Sequence, residues 1–329
     1  MIFTFVVLTY NHQAFIIEHL ESIKYQIEKF GFEREFQLIV ADDSSRDFTV
    51  QYASRWLQMN RHLFVDSEIL QSQENLGTCK NFTRTWGLIR GKHFKITAGD
   101  DIYSCENLFD AYEELQQFQL ICAIPLILRD SIIQKSIGTI LSMCASYVIN
   151  QKRDYLSELK GVSVTNTPNT IYSRDVIESQ EILDFINEFS VTEDFPMHVK
   201  LAELMHPVRR KLLQKTLVYY RRTKNSTYLI KNEKFIHDKI EVLKYLRDIE
   251  KRPIRKFIIS SRIHVYRKSN SLFSALANLS RFEFIFRCVL SLIEILKTYR
   301  KFSVDLLRHQ RHFDNIKKAA ADFQADPNS

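Results

Sequence analysis

The 329-residue sequence predicts an α/β fold with a mainly parallel central sheet, followed by a helical, basic C-terminal region. Two observations carry the first part. Short apolar runs of strand length alternate with amphipathic helical segments through the first hundred residues, the pattern of parallel strands joined by crossover helices. Each run also ends in a polar cluster, and such sheets bind ligands at the carboxyl ends of their strands. The second part rests on residues from about 226 onward, where the periodicity is helical and basic side chains predominate.

Residues 3–8 read as a buried first strand with a polar exit at Asn11-His12. Phe15, Ile16, Leu20, Ile23 and Ile27 then share one face of a helix over 14–29, and Gly31 stands where a helix cap is expected. FQLIVA (36–41) is a second buried strand that runs into DDSSRD, and Asp47 or Thr49 suits the cap of a helix over about 48–60. SEIL (67–70) is a short third strand before the loop QSQENLGT. A helix over about 78–90 and Gly91 lead into HFKITA, a fourth strand that ends at Gly99-Asp100-Asp101. LICAIPLIL (120–128) reads as one buried strand with Pro125 near its centre, and residues 161–172 as a loop entering another. Thr192 is expected to cap a helix over 192–204, with Glu193 and Asp194 in its positive first turn. TLVYYRR (216–222) is a late strand with a basic exit.

Hydrophobic content of 45%, charged content of 26% and only 7 glycines and 6 prolines describe a folded chain rather than a linker. The five cysteines are scattered, odd in number and without CxxC spacing, which predicts reduced thiols in a cytosolic compartment and neither a zinc site nor a disulfide framework. IFTFVVL at 2–8 lacks the basic flank and cleavage site of a signal peptide. The net charge of +7 hides a division: residues 1–206 hold 28 acidic against 18 basic side chains, and residues 207–329 hold 28 basic against 11 acidic. That asymmetry predicts a basic appendage with an acidic partner surface, a membrane or a nucleic acid.

Four polar clusters, TYNH, ADDSS, ENLGT and GDD, fall on one edge of the predicted sheet. Taken alone, Gly99-Asp100-Asp101 is either a turn or a carboxylate pair awaiting a cation. Asp43 could cap its own loop, Asn75-Leu76-Gly77 is an ordinary turn sequence, and Glu193-Asp194 could serve only the helix dipole. Their coincidence favours a site.

VVLTYNH, VADDSS, ENLGTCKNF, TAGDDIY and TEDFP occur in that order. The pattern resembles the inverting family 2 glycosyltransferases of GT-A fold over about residues 1–222, and the GDD form is similar to bacterial enzymes that build surface polysaccharide or lipopolysaccharide. The resemblance implies a GT-A catalytic domain over 1–225; composition and periodicity set off 226–329 as a C-terminal helical, basic region that either associates with a membrane or packs on that domain. It implies transfer of a sugar from a nucleotide-sugar donor, with UDP the most frequent nucleotide, to a saccharide or lipid-linked acceptor. The first two strand exits, Thr9, Tyr10, Asn11, Asp42 and Asp43, would bind the donor, with Thr9, Tyr10 and Asp43 on its base. Asn75, Gly77 and Lys80 would approach the diphosphate, and Asp100 the ribose. Asp101 would hold Mn²⁺ or Mg²⁺, hard cations suited to oxygen ligands. Asp194 would be the general base, with Glu193 beside it on the acceptor.

Two departures from the family pattern matter. Ala98 stands where many relatives carry an aspartate, so the metal would rest mainly on Asp101 and the donor phosphates. No QxxRW motif follows TED; Arg221 and Arg222 would instead meet the leaving phosphates, which suits a single-addition transferase.

Phe282, Ile285, Phe286, Val289, Leu292, Ile293 and Leu296 line one face of a predicted helix over 282–302, with Lys297, Arg300 and Lys301 at its end. Such a face either packs on the catalytic domain or lies in an anionic membrane interface, and the charge balance favours the membrane. The expected location is cytoplasmic, peripheral on the inner face of the cell membrane. A sugar nucleotidyltransferase is the alternative enzyme, but TYNHQAF lacks its glycine-rich phosphate loop. A basic nucleic-acid-binding protein is the non-enzymatic alternative. The N-terminal domain is acidic and carries no recognition module, so nucleic acid is not an expected partner. His12 either reaches the donor or stands in solvent, His198 and His206 are expected outside the ligand set, and Tyr172 and Arg174 border an acceptor pocket or belong to core and surface.

Overall fold

The computed structural model describes residues 2–110, 117–151, 153–164, 166–223, 233–267 and 278–325. β1 (Ile2–Thr9), β2 (Glu35–Asp42), β3 (Asp66–Gln71) and β4 (His93–Ala98) are the four expected strands, and they pair in parallel with β1 between β4 and β2. α1 (Ile16–Phe30), α2 (Thr49–Asn60) and α3 (Thr78–Thr83) connect them. Strand alternation divides β1 between two cores. Phe3, Phe5 and Val7 face the side covered by α1 and α2, while Val6 and Leu8 face the opposite side with Phe82 and Trp86. Burial on both faces is why the run is almost wholly apolar.

The sheet extends beyond β4 with mixed polarity. β6 (Leu120–Ala123), β9 (Thr170–Ser173) and β10 (Arg210–Leu213) complete seven strands in the order β10-β6-β9-β4-β1-β2-β3, and β9 runs antiparallel to both β4 and β6. β5 (Ile102–Tyr103), β7 (Leu126–Arg129), β8 (Ile132–Gln134) and β11 (Val218–Arg221) form a second sheet in the order β5-β11-β7-β8. The single strand expected over 120–128 is therefore two. Proline cannot donate to a ladder, and the chain leaves one sheet for the other at Pro125.

Other expectations shift for local reasons. The helix expected over 78–90 stops at Thr83, because Thr85 Oγ donates to the carbonyl of Phe82 at 2.7 Å in place of the helical ladder. Asp47 caps α2 by accepting the N–H of Thr49 at 3.0 Å, whereas Gly31 ends α1 at φ −80°, without a left-handed turn. A side chain is excluded there because a Cβ would lie 2.5 Å from the carbonyl of Ile27.

α4 (Ile137–Asn150), α5 (Tyr155–Leu159), α6 (Gln180–Asn187) and α7 (Asp194–Leu204) follow in the first 225 residues. Five helices fill the described part of the C-terminal region: α8 (Glu233–Asp248), α9 (Pro253–Arg267), α10 (Leu279–Leu290), α11 (Leu292–Arg300) and α12 (Leu306–Ala325). Val242, Leu243 and Leu246 of α8, with Ile259 and Ile263 of α9, join the core that holds β1 and α7. α12 lies along α1, where His312 Nε2 donates to the carbonyl of Tyr103 at 3.0 Å. The helix expected over 282–302 breaks at Ser291, which lets Ile295 and Phe302 turn into the cluster under α4.

Candidate active site

Register brings the strand exits level. Thr9 pairs with Asp42, Asp42 with Gln71, and Leu8 with Ala98, so the polar residues just beyond share one rim. A cleft of about 990 Å³ opens there. Thr9, Tyr10, Asn11, Asp43, Asn75, Gly77, Asp100, Asp101, Glu193, Asp194, Arg221 and Arg222 all border it. Asp42 and Lys80 do not. Asp42 is fully buried, where its carboxylate accepts Thr9 Oγ at 2.9 Å and the N–H of Ser45 at 2.9 Å. Lys80 projects from the solvent side of α3.

Hydrogen bonds tie the exits together. Asn11 is left-handed at φ 55°, which asparagine tolerates, and its side-chain oxygen accepts the N–H of Arg46 at 2.9 Å. Both carboxylate oxygens of Asp43 fasten the third exit, accepting the N–H groups of Leu76 at 2.7 Å and Gly77 at 3.0 Å. Gly77 must be glycine. Its φ is +83°, and a Cβ would stand 2.6 Å from the carbonyl of Ser190.

The fourth exit holds the most constrained acid. Asp101 is 1% exposed; its Oδ1 accepts the N–H of Arg221 at 2.9 Å, while Oδ2 is buried and meets no donor among the described residues. Burial first, and then the charge of Asp100, push its carboxyl well above the usual range, against the pull of Arg221 and Lys95. An orphaned, electron-rich oxygen beside a second carboxylate fits a hard divalent cation. Arg221 lines the cleft, but its guanidinium already serves this turn: it pairs with Glu18, donates to the carbonyl of Asp100 and lies 4.5 Å over the ring of Phe15.

Glu193 and Asp194 enter the cleft at the start of α7. Thr192 does not cap this helix; its Oγ is buried and meets no partner among the described residues. Asp194 instead satisfies its own first turn, with Oδ1 accepting the N–H of Phe195 at 2.7 Å and Oδ2 the hydroxyl of Thr167 at 3.0 Å. Burial acts to raise its pKa, but Lys239 and these bonds outweigh it and hold the carboxyl below its ordinary value. Burial and the charge of Asp194 raise Glu193 to about 8. At neutral pH one acid of the pair is charged and its neighbour holds a proton. His198, one turn on, is buried between Tyr155 and Tyr172 at 2.9 and 3.1 Å and stays neutral, its pKa lowered by burial to about 4.

Several contributors escaped the sequence. Phe235 and Lys239 border the cleft from α8. Lys95 is fully buried below Asp101, donates to the carbonyls of Pro168 and Thr170, and is lowered by burial to about 7. His19 donates from Nδ1 to the carbonyl of Asp101 at 2.7 Å and accepts from Thr97 at Nε2. A lysine at the centre of an apolar strand was the one visible signal; nothing local marks the others. Tyr172 belongs to the core, stacked on Phe94, and Arg174 is on the surface.

Residues 4–180 match the family described as Glycosyl transferase family 2. Uncharacterized proteins of Mycobacterium tuberculosis and Mycobacterium bovis are 30% identical over 103 residues, which is 30% of this chain and 27% of theirs. The match thus spans about a quarter of the length of those relatives. S. aureus TarS 1–349 has a similar fold at TM-score 0.55 and 18% identity, covering 98% of this chain and 91% of that one. A Pyrobaculum calidifontis mannosyltransferase, solved with GDP-Man and Mn²⁺, is similar at TM-score 0.52 and 13% identity over 99% and 87%. These likenesses make the architecture a GT-A fold.

A carboxyl whose folded pKa is raised contributes stability that is present below its unfolded pKa and lost as pH rises through the folded value. For Glu193 that window runs from 4.5 to about 8, at about 1.4 kcal/mol per unit. Glu193→Gln should therefore gain stability relative to the parent between pH 5 and pH 9, by up to a few kcal/mol in urea unfolding. A difference that does not change with pH would refute the raised carboxyl.

Proposed function

Because the chain belongs to glycosyl transferase family 2, we propose that it transfers a sugar from a nucleotide-diphosphate donor to an acceptor hydroxyl, with inversion at the anomeric carbon. The observation that carries this reading is the convergence of the strand-exit acids and the Glu193–Asp194 pair on one cleft. Thr9, Tyr10, Asn11 and Asp43 bind the nucleotide side, and the Asn75–Gly77 loop, held by Asp43, approaches the diphosphate. UDP is the proposed nucleotide; TarS of similar fold has been solved with UDP and with UDP-GlcNAc. Asp101 Oδ2, with Asp100 beside it, would hold Mn²⁺ or Mg²⁺, whose charge offsets that of the departing diphosphate. Arg222 is the second cationic contribution at this end.

Asp194 takes the proton of the attacking hydroxyl. A base must be ionised before it can accept a proton, and Lys239 and Thr167 favour that state. Protonated Glu193 donates a hydrogen bond to the acceptor. The acceptor is a saccharide or lipid-linked glycan of a surface polysaccharide or lipopolysaccharide, and residues 1–225 form the catalytic domain.

An anionic membrane surface is the proposed partner of residues 226–329, with the protein on the inner face of the cell membrane. Among the described residues no helix is long and apolar enough to cross a membrane. The surface available is instead one side of α10 and α11. Phe282, Ile285, Phe286, Val289, Ile293 and Leu296 are all exposed, Phe286 by 63% and Ile293 by 71%, and Arg281, Lys297, Arg300 and Lys301 border them. Apolar side chains with a basic rim are the composition of an interfacial helix.

Three experiments test these assignments. In a thermal-shift screen of UDP and GDP, with and without Mn²⁺, a bound nucleotide must raise the melting temperature; Asp101→Ala should abolish the Mn²⁺-dependent part, and unchanged dependence would remove Asp101 from the metal site. Asp194→Asn should slow single-turnover transfer by roughly 10²–10⁴-fold with donor affinity near the parent value, and transfer at the parent rate would place the base elsewhere. Phe286→Glu with Ile293→Glu should release the protein from phosphatidylglycerol vesicles. Binding of the parent should weaken with salt, since each basic residue near such a surface is worth about 1 kcal/mol. A parent protein that ignores these vesicles at low salt would overturn the membrane reading.

A further inference from the structure

The start of α7 has no side-chain cap of its own, yet the three residues before Glu193 are held. Ser190, Val191 and Thr192 point their N–H groups at a single atom, Asp238 Oδ2, at 3.1, 2.8 and 3.1 Å. Asp238 belongs to α8, 46 to 48 residues away in sequence, and is 2% exposed. Three consecutive amides on one carboxylate form an anion-holding nest, and each bond is charge-assisted. α8 is itself anchored: Val242, Leu243 and Leu246 are buried, and the hydroxyl of Tyr245 accepts Lys200 of α7 at 3.0 Å.

The same turn touches the donor side. The carbonyl of Ser190 accepts the N–H of Cys79 at 3.4 Å and is the atom that excludes a Cβ at Gly77. Residues 190–192 are therefore gripped between the loop that Asp43 fastens and the carboxylate of α8. Beside Asp238, Lys239 lies 4.6 Å over the ring of Phe195 and 5.3 Å over that of Phe235, at the border of the cleft.

We propose that Asp238 and Lys239 are positioning residues for the Glu193–Asp194 pair, Asp238 by fixing the backbone that enters α7 and Lys239 as the cation held over Phe195, the neighbour of Asp194, at the border of the cleft. The proposal rests on the reading of Asp194 as the acceptor-side base, but its geometry does not. Asp194 is faced by Glu193 and His198 on its own helix, by Cys79 of α3, Tyr155 of α5 and Tyr172 of β9, and by Lys239 of α8. Lys239 is the cation among them, since His198 is neutral. By this arrangement, the C-terminal region completes the catalytic site.

Two measurements on the protein without ligand test this. Amide hydrogen exchange should accelerate at Ser190, Val191 and Thr192 in Asp238→Asn and in Asp238→Ala, by at least tenfold, while amides of β1 and β2 keep their parent rates. Parent rates at the three amides, or acceleration spread evenly through the fold, would overturn the backbone role. Carboxyl ¹³C shifts titrate the acid pair directly. Lys239→Met should move the midpoint assigned to Asp194 upward by about one unit, the effect of losing a nearby opposite charge, and Lys239→Arg should restore it. An unmoved midpoint overturns the charge role. Failure of Asp194 as the base would show instead as full transfer by Asp194→Asn with both of these results intact.

Discussion

A carboxylate sealed under the strand exits, with one oxygen left over, sets the terms for the rest of this structure. An ionised acid out of water is costly unless compensated. Asp101 receives one backbone N–H from Arg221 and the nearby charge of buried Lys95, and nothing reaches its second oxygen among the described residues. The surroundings are arranged to keep it there. Arg221 is locked by Glu18, Phe15 and the Asp100 carbonyl, His19 is held neutral against the Asp101 carbonyl, and the second sheet exists to bring β11 beside β5. The result is a buried acid with one oxygen unpartnered among the described residues, the arrangement that a divalent cation would complete.

The two acidic stations are mechanically related. Lys95, one strand residue from Ile96 at the floor of the cleft, donates to the carbonyls of Pro168 and Thr170. Thr167, in the same segment, donates to Asp194. A single buried lysine thus connects the ground under Asp101 to the segment that orients Asp194. Lysine suits this position because burial lowers its pKa to about 7 and makes its charge responsive to Asp101.

The C-terminal helices divide by what they meet. α8, α9 and α12 turn apolar residues into the main cores, so they belong to the folded unit that carries the cleft. α10 and α11 turn Phe284, Cys288, Ile295 and Tyr299 toward the cluster under α4 and leave Phe282, Ile285, Phe286, Val289, Ile293 and Leu296 in solvent. Ser291 is the joint between them, and Ile295 beyond it is the buried residue of α11.

Local chemistry was enough for part of this. The four parallel strands, their polar exits and the acids Asp43, Asp100, Asp101, Glu193 and Asp194 were legible because apolar runs of strand length and their terminators are local signals. The apolar face of 282–296 was legible for the same reason, since helical spacing alone defines it. Tertiary structure decided the rest. Pro125 divides one apparent strand between two sheets, which depends on partners distant in sequence. Arg221 is legible as a basic exit, but only the fold brings Glu18 to occupy it. Lys80 has the expected spacing, yet Cys79, Asn81, Phe82 and Thr83 take the buried side of α3 and leave it facing solvent. Asp238 and Lys239 carry no motif at all, for their chemistry lies in which backbone amides and carboxylates they meet. A sequence specifies side chains and short-range periodicity; charge compensation across 46 or 203 residues exists only once packing has brought the partners together.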